Sequence, residues 1–394
     1  MTIFACMVAL VLFQLMPLPP AWWGVLPGRT PFAQTYVNAG LPVPWHVLTL
    51  DPNATARSGL SLLPGIALFL AGKSLDVASR RILVLVFIGL CGASLLLGVA
   101  QVSVGPDGFL RPYTVTNESS AVGFFANANH FAMLLVCAIP ITAAAGAIAV
   151  AEWSRGARGK ILIIAMIFIV LLVGIATSKS RAGLVLGLLA TIASLGMIIV
   201  TVGPRKTSRR LPMVSAAVVV TIGTAVLFYG LASRISLNDE IRRGIAAATW
   251  HARAAFDPLG SGLGTFSRVY PIFEGELVAG TFVNHAHNDW FELWLEGGWP
   301  AVALITAFLV WFCWRVRVAW RACIDVSSDI VLARAASLVV VVLMLHSFVD
   351  YPLRTEAHIA ILSLACLLLT APPADPPRVD LTQAGSIAEA RGFA

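Results

Sequence analysis

The chain has 394 residues, of which 58% are hydrophobic and 12% charged, and its formal net charge is +7. A water-soluble globular protein carries roughly twice that share of charged residues, so the composition excludes this class. The six cysteines form no CxxC metal pattern. The positive charge is mostly an orientation signal in the loops and gives no reason to expect nucleic acid as a partner. We therefore expect an integral membrane protein without disulfides.

Apolar runs recur along the whole chain, and each is long enough, or nearly so, to cross a hydrocarbon core of about 30 Å. They must be helices, because backbone groups in lipid have no water to bond and no barrel alternation is visible. We predict an all-α, polytopic transmembrane helix bundle of about ten spans. The predicted spans are 2–18, 57–72, 81–103, 129–151, 160–177, 182–202, 211–231, 288–314, 331–350 and 356–372.

The distribution of lysine and arginine predicts the orientation of these spans. With both termini in the cytoplasm, most of the 27 cations lie on the inner side. The first span lacks a basic leader and a cleavage site, so we interpret it as an uncleaved helix. One membrane domain, 1–372, then accounts for nearly the whole chain. The Pro-rich, polar segment 373–394 is typical of a disordered cytoplasmic tail.

The longest hydrophilic segment, 232–288, is predicted to be a partly helical outer loop before the eighth span. Its residues 238–256 have the periodicity of an amphipathic helix, with polar and apolar faces opposed. "DPLGSGLGTF" ends this helix and permits a tight turn, but no strand precedes it, so it is not a nucleotide loop. The polar face contains Arg242, Thr249 and Arg253, and the apolar stripe contains Ile241, Ile245, Ala248 and Ala255.

Lys179 and Arg181 in "SKSRAG" lie on the outer side, against the positive-inside bias. Interfacial snorkelling explains such cations, but so does an anion site, because the planar fork of arginine matches phosphate oxygens. Arg242, Arg243 and Arg253 add positive charge on the same side. Each alone is typical of a solvated surface, whereas together they suit a polyanionic lipid headgroup.

"NHAHNDWFELWLEGGWP" places polar groups at the start of the eighth span. Asn284 or Asn288 could cap this helix, and the positive end of its dipole would keep His287 neutral, as a general base requires. Asp289 and Glu292, one turn apart, would orient His287 or bind sugar hydroxyls. A lone interfacial histidine is usually structural, but this cluster favours catalysis.

Two further segments place polar groups at the outer ends of spans. Ionisable groups within membranes are costly and are often functional. "HSFVDYPLR" could instead hold an Asp350–Arg354 pair that stabilises a turn, and the asparagines of "FFANANHF" could be helix caps. The candidates in these segments are Asn127, Asn129, His130, His346, Asp350 and Arg354.

These segments, taken together, resemble the O-antigen ligase and O-antigen polymerase superfamily of bacterial envelope glycosyltransferases. "GFFANANHFA" is similar to its Asn-x-Asn-His-Phe-Ala segment and "SKSRAG" to its Ser-Arg-x-Gly turn. "RRGIAAATWHARAAFDPLGSGLGTF" resembles its outer-loop arginine followed by Pro-x-x-Gly-x-Gly-x-Gly-x-Phe. "HAHNDWFELWLEGGWPA" resembles the His-Asn-x-x-Leu signature, with Phe291 in place of leucine, and "HSFVDYPLR" the late His…Asp segment. The resemblance covers about 120–356.

The resemblance implies glycan transfer at the periplasmic face of the bacterial inner membrane, inverting and without metal or other cofactor. The implied donor is an undecaprenyl-diphosphate-linked glycan, and the implied acceptor is a hydroxyl of a glycan or of lipid A core. Arg181 and Arg243 would hold the diphosphate, with Arg242 competing for the second place, and His287 would take the proton. Donor or acceptor binding is assigned to Lys179, Arg242, Arg253, Asn127, Asn129, His130, Asn288, Asp289, Glu292, His346, Asp350 and Arg354.

Several functions stay open at this point. The motifs do not separate a ligase, a polymerase of O-antigen or exopolysaccharide, and an oligosaccharyltransferase acting on protein. A polyprenyl-linked glycan transporter or binding protein would use the same arginines without catalysis. A zinc hydrolase using His285 and His287 lacks the HExxH pattern and further ligands at convincing spacing.

Overall fold

The apolar runs fold into long helices, as expected for a backbone without access to water. The computed structural model describes residues 2–106, 108–151, 157–202, 237–275, 282–321 and 327–370. Two short strands, β1 (Pro17–Leu18) and β2 (His46–Val47), pair antiparallel. The α-helices are α1 (Thr2–Gln14), α2 (Pro20–Trp23), α3 (Thr30–Asn38), α4 (Pro52–Ser61), α5 (Leu63–Lys73), α6 (Val77–Val104), α7 (Ala128–Ala151), α8 (Ala157–Thr177), α9 (Arg181–Val202), α10 (Leu237–Ala254), α11 (Phe266–Val269), α12 (Asp289–Arg321), α13 (Ser328–His346) and α14 (Glu356–Leu368).

Seven helical stretches among the described residues are long and apolar enough to cross a membrane. They coincide with seven of the predicted spans, and two more predicted spans correspond to the shorter apolar helices α1 and α14. The predicted span 211–231 and the predicted tail 373–394 lie outside the described residues. The described chain is therefore mostly helical with several apolar helices, while the count of ten spans stays a prediction. The seven are Pro52–Lys73, Val77–Val104, Ala128–Ala149, Gly159–Thr177, Arg181–Thr201, Asp289–Arg321 and Ser328–His346.

Helix α7 lies at the centre of the bundle and packs against α6, α8, α9 and α13. Phe131, Leu135 and Ile139, three of its residues, have no exposed surface. A helix that is apolar on all sides is expected in such a position. The alanines and glycine in "ITAAAGAIA" let neighbouring backbones approach closely, as small residues do between membrane helices. Any polar side chain at an end of α7 is therefore brought next to several other helices.

One end of the bundle bears on function, because six helix termini meet there. It holds the N-termini of α7, α9 and α12 and the C-termini of α6, α8 and α13, and we call it the site end. Backbone hydrogen bonds tie these segments together there: Ala121 N donates to Thr177 O, and Asp289 N donates to Ser347 O. The antiparallel succession of helices brings together segments that are distant in sequence.

At the opposite end of the bundle, two arginines bind the end of α14. Arg80 lies in the first turn of α6 and Arg315 in the last turns of α12, and both donate hydrogen bonds to backbone carbonyls at the end of α14. Carbonyls at a helix C-terminus lack partners and carry partial negative charge, so arginine stabilises them. These arginines thus fix the C-terminal end of α14 against α6 and α12.

Helix α12 is broken at Gly298, whose φ of 59° is not helical. The glycine-rich turn after α10 packs against this break: Gly262 N donates to Glu296 O, and Trp299 N donates to Pro258 O. A Cβ at Gly298 would overlap the Pro258 carbonyl oxygen, so only glycine fits there without displacement. The tight turn predicted from "DPLGSGLGTF" therefore holds the start of α12 in position.

Helix α10 forms within two residues of its predicted bounds, but the predicted division of its faces is wrong at Thr249. Thr249 is fully buried beside Ile245 rather than opposed to it. Its hydroxyl donates to the Ile245 carbonyl oxygen at 2.7 Å, which removes the cost of burying it. The buried face of α10 runs from Ile245 through Thr249 to Ala252 and continues to Phe256.

Candidate functional site

A polar cavity of about 310 Å³ opens at the site end, between the ends of α7, α9, α10 and α12. Three serines contribute to its wall, together with Asn117, Asn127, Asn129, Lys179, Arg242 and His287. Five of these six were candidates from the sequence, and Asn117 was missed because nothing in its surroundings marks it. The described residues also form a groove of about 660 Å³ on the apolar face of α12, between Ala303 and Trp314, which offers no ionisable group.

Hydrogen bonds connect the cavity residues across three helices. Ser180 Oγ donates to Asn129 Oδ1 at 2.7 Å, and Asn129 Nδ2 donates to Asp350 Oδ2 at 2.5 Å. The other carboxylate oxygen of Asp350 lies 3.1 Å from His287 Nδ1. One chain of contacts therefore joins the start of α9 to His287 beside the start of α12.

The carboxylate of Asp350 determines which nitrogen of His287 carries a proton. An ionised carboxylate can only accept, so His287 Nδ1 donates to it and Nε2 keeps its lone pair in the neutral ring. Burial raises the pKa of the Asp350 carboxyl, but the hydrogen bond with His287 and the nearby His346 and Arg242 lower this pKa by more. Asp350 is thus ionised, and His287 has the tautomer that a general base needs.

Two cavity residues have strained backbones. Among the described residues, His287 (φ 50°) and Lys179 (φ 56°) are the non-glycine residues with positive φ. Such a conformation costs about 1–3 kcal/mol and persists only where the surroundings enforce it. Both line the cavity, so the fold holds an imidazole and an ammonium group in place against local preference.

Three long helices begin at this cavity. Ser180 caps α9 by accepting from Gly183 N at 3.0 Å, and Asn288 caps α12 by accepting from Phe291 N at 3.0 Å. The Asn127 side chain accepts from Asn129 N and caps α7, whereas the Asn129 side chain bonds Ser180 and Asp350, so the capping alternative holds for Asn127 only. Helix N-termini carry partial positive charge and unpaired N–H groups, which makes their meeting point favourable for an anion.

The cations that were predicted to bind the diphosphate do not all lie at the cavity. Lys179 and Arg242 line the cavity, whereas Arg243 is exposed. Arg242 lies three residues before Ile245 and therefore shares the buried face of α10, while the next residue points about 100° away. Arg181 is half-buried at the first position of α9, directly after Ser180 of the hydrogen-bonded chain.

Arg354 does not form the expected pair with Asp350. Its Nη1 lies 2.7 Å from Glu296 Oε2, and its Nε lies 3.4 Å from Glu292 Oε1 and 3.7 Å from Asp289 Oδ1. These carboxylates recur on one face of α12, so a single guanidinium on the facing segment reaches all three. Their negative charge raises the pKa of buried Arg354 above its ordinary value, against the effect of burial.

Asp289 and Glu292 do not orient His287, contrary to the expectation from the sequence. Asp289 accepts from Ser347 Oγ at 2.8 Å and from Leu353 N at 3.1 Å. Glu292 Oε1 lies 2.8 Å from His285 Nδ1, and its Oε2 accepts from Ala286 N at 2.7 Å. On the helical α12, both side chains face the segment after α13 and the chain before α12. Asp350 is therefore the carboxylate that contacts His287.

Arg253 has a different environment from the one predicted. Its guanidinium lies between the rings of Trp250 and Trp294, at 3.7 and 4.4 Å from their centroids, and its Nη1 is 3.1 Å from Asp257 Oδ2. The cation–π contact with Trp294 holds α10 against α12, while Trp250 and Asp257 fix the guanidinium from its own segment. Arg253 is therefore a packing residue between two helices.

His130 and His346 are buried behind the cavity, with 4% and 0% of their surfaces exposed. Neither residue lines the cavity. Tyr351, which sequence reasoning missed, lies among three histidine rings, with its centroid 4.9 Å from that of His130, 4.2 Å from His285 and 5.1 Å from His287. Burial raises the pKa of its hydroxyl.

The two histidines considered for zinc are engaged separately. His285 Nδ1 is bonded to Glu292 and His287 Nδ1 to Asp350, on different segments. In the part of the chain that the structure describes, no group of three or more His, Cys, Asp or Glu side chains is arranged to hold a metal ion.

Comparison of the chain with protein-family models and with curated proteins finds no match. The site's own groups therefore indicate its chemistry: an oriented imidazole, two cations and three helix N-termini lie around one polar cavity.

Proposed function

We propose that this protein transfers a glycan from an undecaprenyl-diphosphate donor to an acceptor hydroxyl at the periplasmic face of the bacterial inner membrane. The observation that carries the proposal is the hydrogen-bonded chain from Ser180 through Asn129 and Asp350 to His287. It joins the N-terminus of α9, where an anion would bind, to an oriented base across one cavity. A transfer from a diphosphate leaving group needs both features at once.

In the proposed reaction, His287 Nε2 takes the proton of the acceptor hydroxyl while that oxygen attacks the anomeric carbon. The bond between the anomeric carbon and the diphosphate oxygen breaks, and its electron pair leaves with the diphosphate. A single displacement of this kind inverts the configuration at the anomeric carbon. Asp350 remains ionised and stabilises the imidazolium that forms on His287, as in other carboxylate–histidine pairs.

The leaving diphosphate gains negative charge in the transition state. Lys179 and Arg242 line the cavity, and α7, α9 and α12 begin there. Positive groups that are in place before the reaction stabilise such charge without reorganisation. Because these groups supply the positive charge, the proposed reaction requires no metal ion. Arg181, next to Ser180, would contact the diphosphate from the α9 side.

The orientation in the membrane is part of the proposal. Arg80 and Arg315 lie at the end opposite the cavity, and cations favour the cytoplasmic side. Gln14 at the end of α1 bonds to Glu296 O and Leu263 N near the site end, so α1 starts at the opposite end. This supports cytoplasmic termini and a periplasmic cavity.

The first test is the substitution His287→Ala in the purified full-length protein, reconstituted in lipid with an undecaprenyl-diphosphate-linked glycan. Loss of the base should reduce glycan transfer by at least about 10²-fold, while the donor dissociation constant changes by less than about twofold. The matched control is His251→Ala, an exposed histidine on α10, which should keep normal transfer.

A polyprenyl-linked glycan transporter is the competing function, and the same variants separate the two. If the His287→Ala protein translocates the lipid-linked glycan normally and the wild-type protein forms no new glycosidic bond, the transferase proposal fails. For an active transferase, products in a strain that lacks the protein identify the acceptor. Missing polymer indicates a polymerase, and lipid A core without O-antigen indicates a ligase.

A further inference from the structure

The Tyr351 ring that contacts His287 also contacts a second imidazole held by a carboxylate, and this imidazole is not needed for the proposed proton transfer. We infer that His285 binds a second hydroxyl of the acceptor sugar, adjacent to the hydroxyl that His287 deprotonates. This inference rests on the proposed function and names how the acceptor is recognised. It concerns binding and selection of the acceptor, because His285 does not take part in bond breaking.

Glu292 determines which nitrogen of His285 is left for a ligand. The Glu292 side chain is fully buried, and its Oε1 lies 2.8 Å from His285 Nδ1. Ala286 N and Arg354 Nε also approach this carboxylate, at 2.7 and 3.4 Å, which keeps it ionised and fixed. His285 Nδ1 therefore donates to Glu292, and Nε2 of the neutral ring can only accept a hydrogen bond.

The environment of His285 is that of a ligand-binding residue rather than that of a core residue. About a third of its side chain is exposed (29%), compared with 18% for His287. Its partner Glu292 is paired with Arg354, which also pairs with Glu296, and the 2.8 Å contact with Glu292 fixes the orientation of the ring. A histidine that served packing alone would not require an ionised, fully buried partner for its inner nitrogen and an exposed outer nitrogen.

Tyr351 links the two imidazoles. Its ring centroid is 4.2 Å from that of His285 and 5.1 Å from that of His287, so both rings contact the same aromatic ring. Each imidazole is bonded through Nδ1 to its own carboxylate, and both rings contact the tyrosine ring. Nε2 of His285 and Nε2 of His287 are thus two acceptors with the same chemistry around one tyrosine ring.

A sugar ring matches this arrangement because it carries hydroxyls on neighbouring carbons. One hydroxyl would donate to His287 Nε2 and become the nucleophile, while its neighbour would donate to His285 Nε2. A site that hydrogen-bonds a hydroxyl rejects an analogue lacking it, because the site group is then left without a partner. His285 would thus select acceptors with a second hydroxyl beside the reacting one.

The test uses methyl glucopyranoside, methyl galactopyranoside and their monodeoxy derivatives as probes, with the full-length protein in detergent. Binding is measured by saturation-transfer NMR, and turnover with the undecaprenyl-diphosphate-linked donor is measured in parallel. His285→Phe keeps a ring against Tyr351 but removes the acceptor nitrogen, and His285→Gln serves as the second, polar variant. His251→Phe on α10 is the matched control.

Loss of one hydrogen bond should weaken binding of the preferred glycoside by about three- to tenfold in His285→Phe and raise its KM by the same factor. kcat and donor binding should stay near the wild-type values. The monodeoxy glycoside that lacks the hydroxyl bound by His285 should bind the wild-type protein as weakly as the parent glycoside binds the variant. It should lose no further affinity in the variant. That non-additivity would not arise from a packing defect.

Unchanged glycoside binding in both His285 variants would overturn the inference, and so would equal losses for every monodeoxy probe. Failure of the wild-type protein to bind any glycoside would overturn it as well. The proposed function fails in a different way, namely by the absence of glycan transfer from the wild-type protein even where a glycoside binds. The two outcomes are therefore read from separate measurements.

Discussion

His287 illustrates how a residue gains its chemistry from partners far away in sequence. Asp350 follows it by 63 residues, yet its carboxylate lies 3.1 Å from His287 Nδ1 and fixes the tautomer. Asp289 and Glu292, which lie close by in sequence, bond elsewhere. The sequence predicts that His287 carries the reaction, because polar groups in an apolar chain are concentrated there. It does not identify the orienting carboxylate, because that depends on how α12 and α13 are rotated against each other.

The adjacent pair Arg242 and Arg243 gives a prediction at the same scale. Arg242→Ala should lower glycan transfer by about 10²–10³-fold, because a cation that faces the leaving diphosphate is lost. Arg243→Ala, the matched control one position away on the exposed face of α10, should stay within about threefold of the wild-type protein. Transfer rates at saturating acceptor are the measurement.

An equal or larger loss in Arg243→Ala would show that the motif assignment of Arg243 is correct and that the cavity does not hold the diphosphate as proposed. Both residues fit the motif equally well in sequence. Only the helix face separates them, and this is visible in the buried neighbours Ile245 and Thr249.

Among the elements, the junction between α12 and the turn after α10 determines where the site residues lie. α12 breaks at Gly298, and the segment Pro258–Gly264 fills the break. Arg253, between Trp250 and Trp294, holds α10 to the same region. The cavity contacts of His287 and Arg242 therefore depend on the packing between these two helices.

Gly298→Ala should destabilise the protein through this junction. The φ of 59° is unfavourable for alanine, and the added Cβ would overlap the carbonyl oxygen of Pro258. Backbone strain alone costs about 1–3 kcal/mol, and steric overlap adds to it, so the Tm should fall by several degrees. Thermal unfolding in detergent, followed by circular dichroism, is the measurement.

The control for this substitution is Gly89→Ala in the middle of α6, where an added Cβ meets no atom within 4 Å. Alanine is favoured over glycine in a helix by about 1 kcal/mol, so the control should leave the Tm unchanged or raise it. Similar losses in both variants would mean that the junction does not carry the expected strain.

At the scale of the whole molecule, polarity is divided between the two ends of the bundle. The site end holds the cavity, and the opposite end holds Arg80 and Arg315 against the end of α14. In the proposed orientation, the apolar helices between the two ends place them on different sides of a membrane. The positive-inside bias then predicts which side is which.

Cysteine labelling tests this orientation. Phe282→Cys at the site end and Ser74→Cys at the opposite end are each placed in a protein whose six native cysteines are replaced by alanine. Both positions are exposed. A membrane-impermeant maleimide applied to cells with a permeabilised outer membrane should label the first variant at once and the second only after the inner membrane is opened. The reverse pattern would place the cavity in the cytoplasm and exclude the proposed donor side.

The sequence by itself determined the apolar helices, the amphipathic helix at 237–254, and the set of polar residues that gather at helix ends. These properties depend on local composition and periodicity, because hydrophobic length and helical spacing act within one segment. The tertiary structure alone decided the pairings: His287 with Asp350, His285 with Glu292, Arg354 with three carboxylates, and Arg253 with two tryptophans. Each pairing depends on the rotation and depth of one helix against another, and packing sets these relations between segments that are distant in the chain.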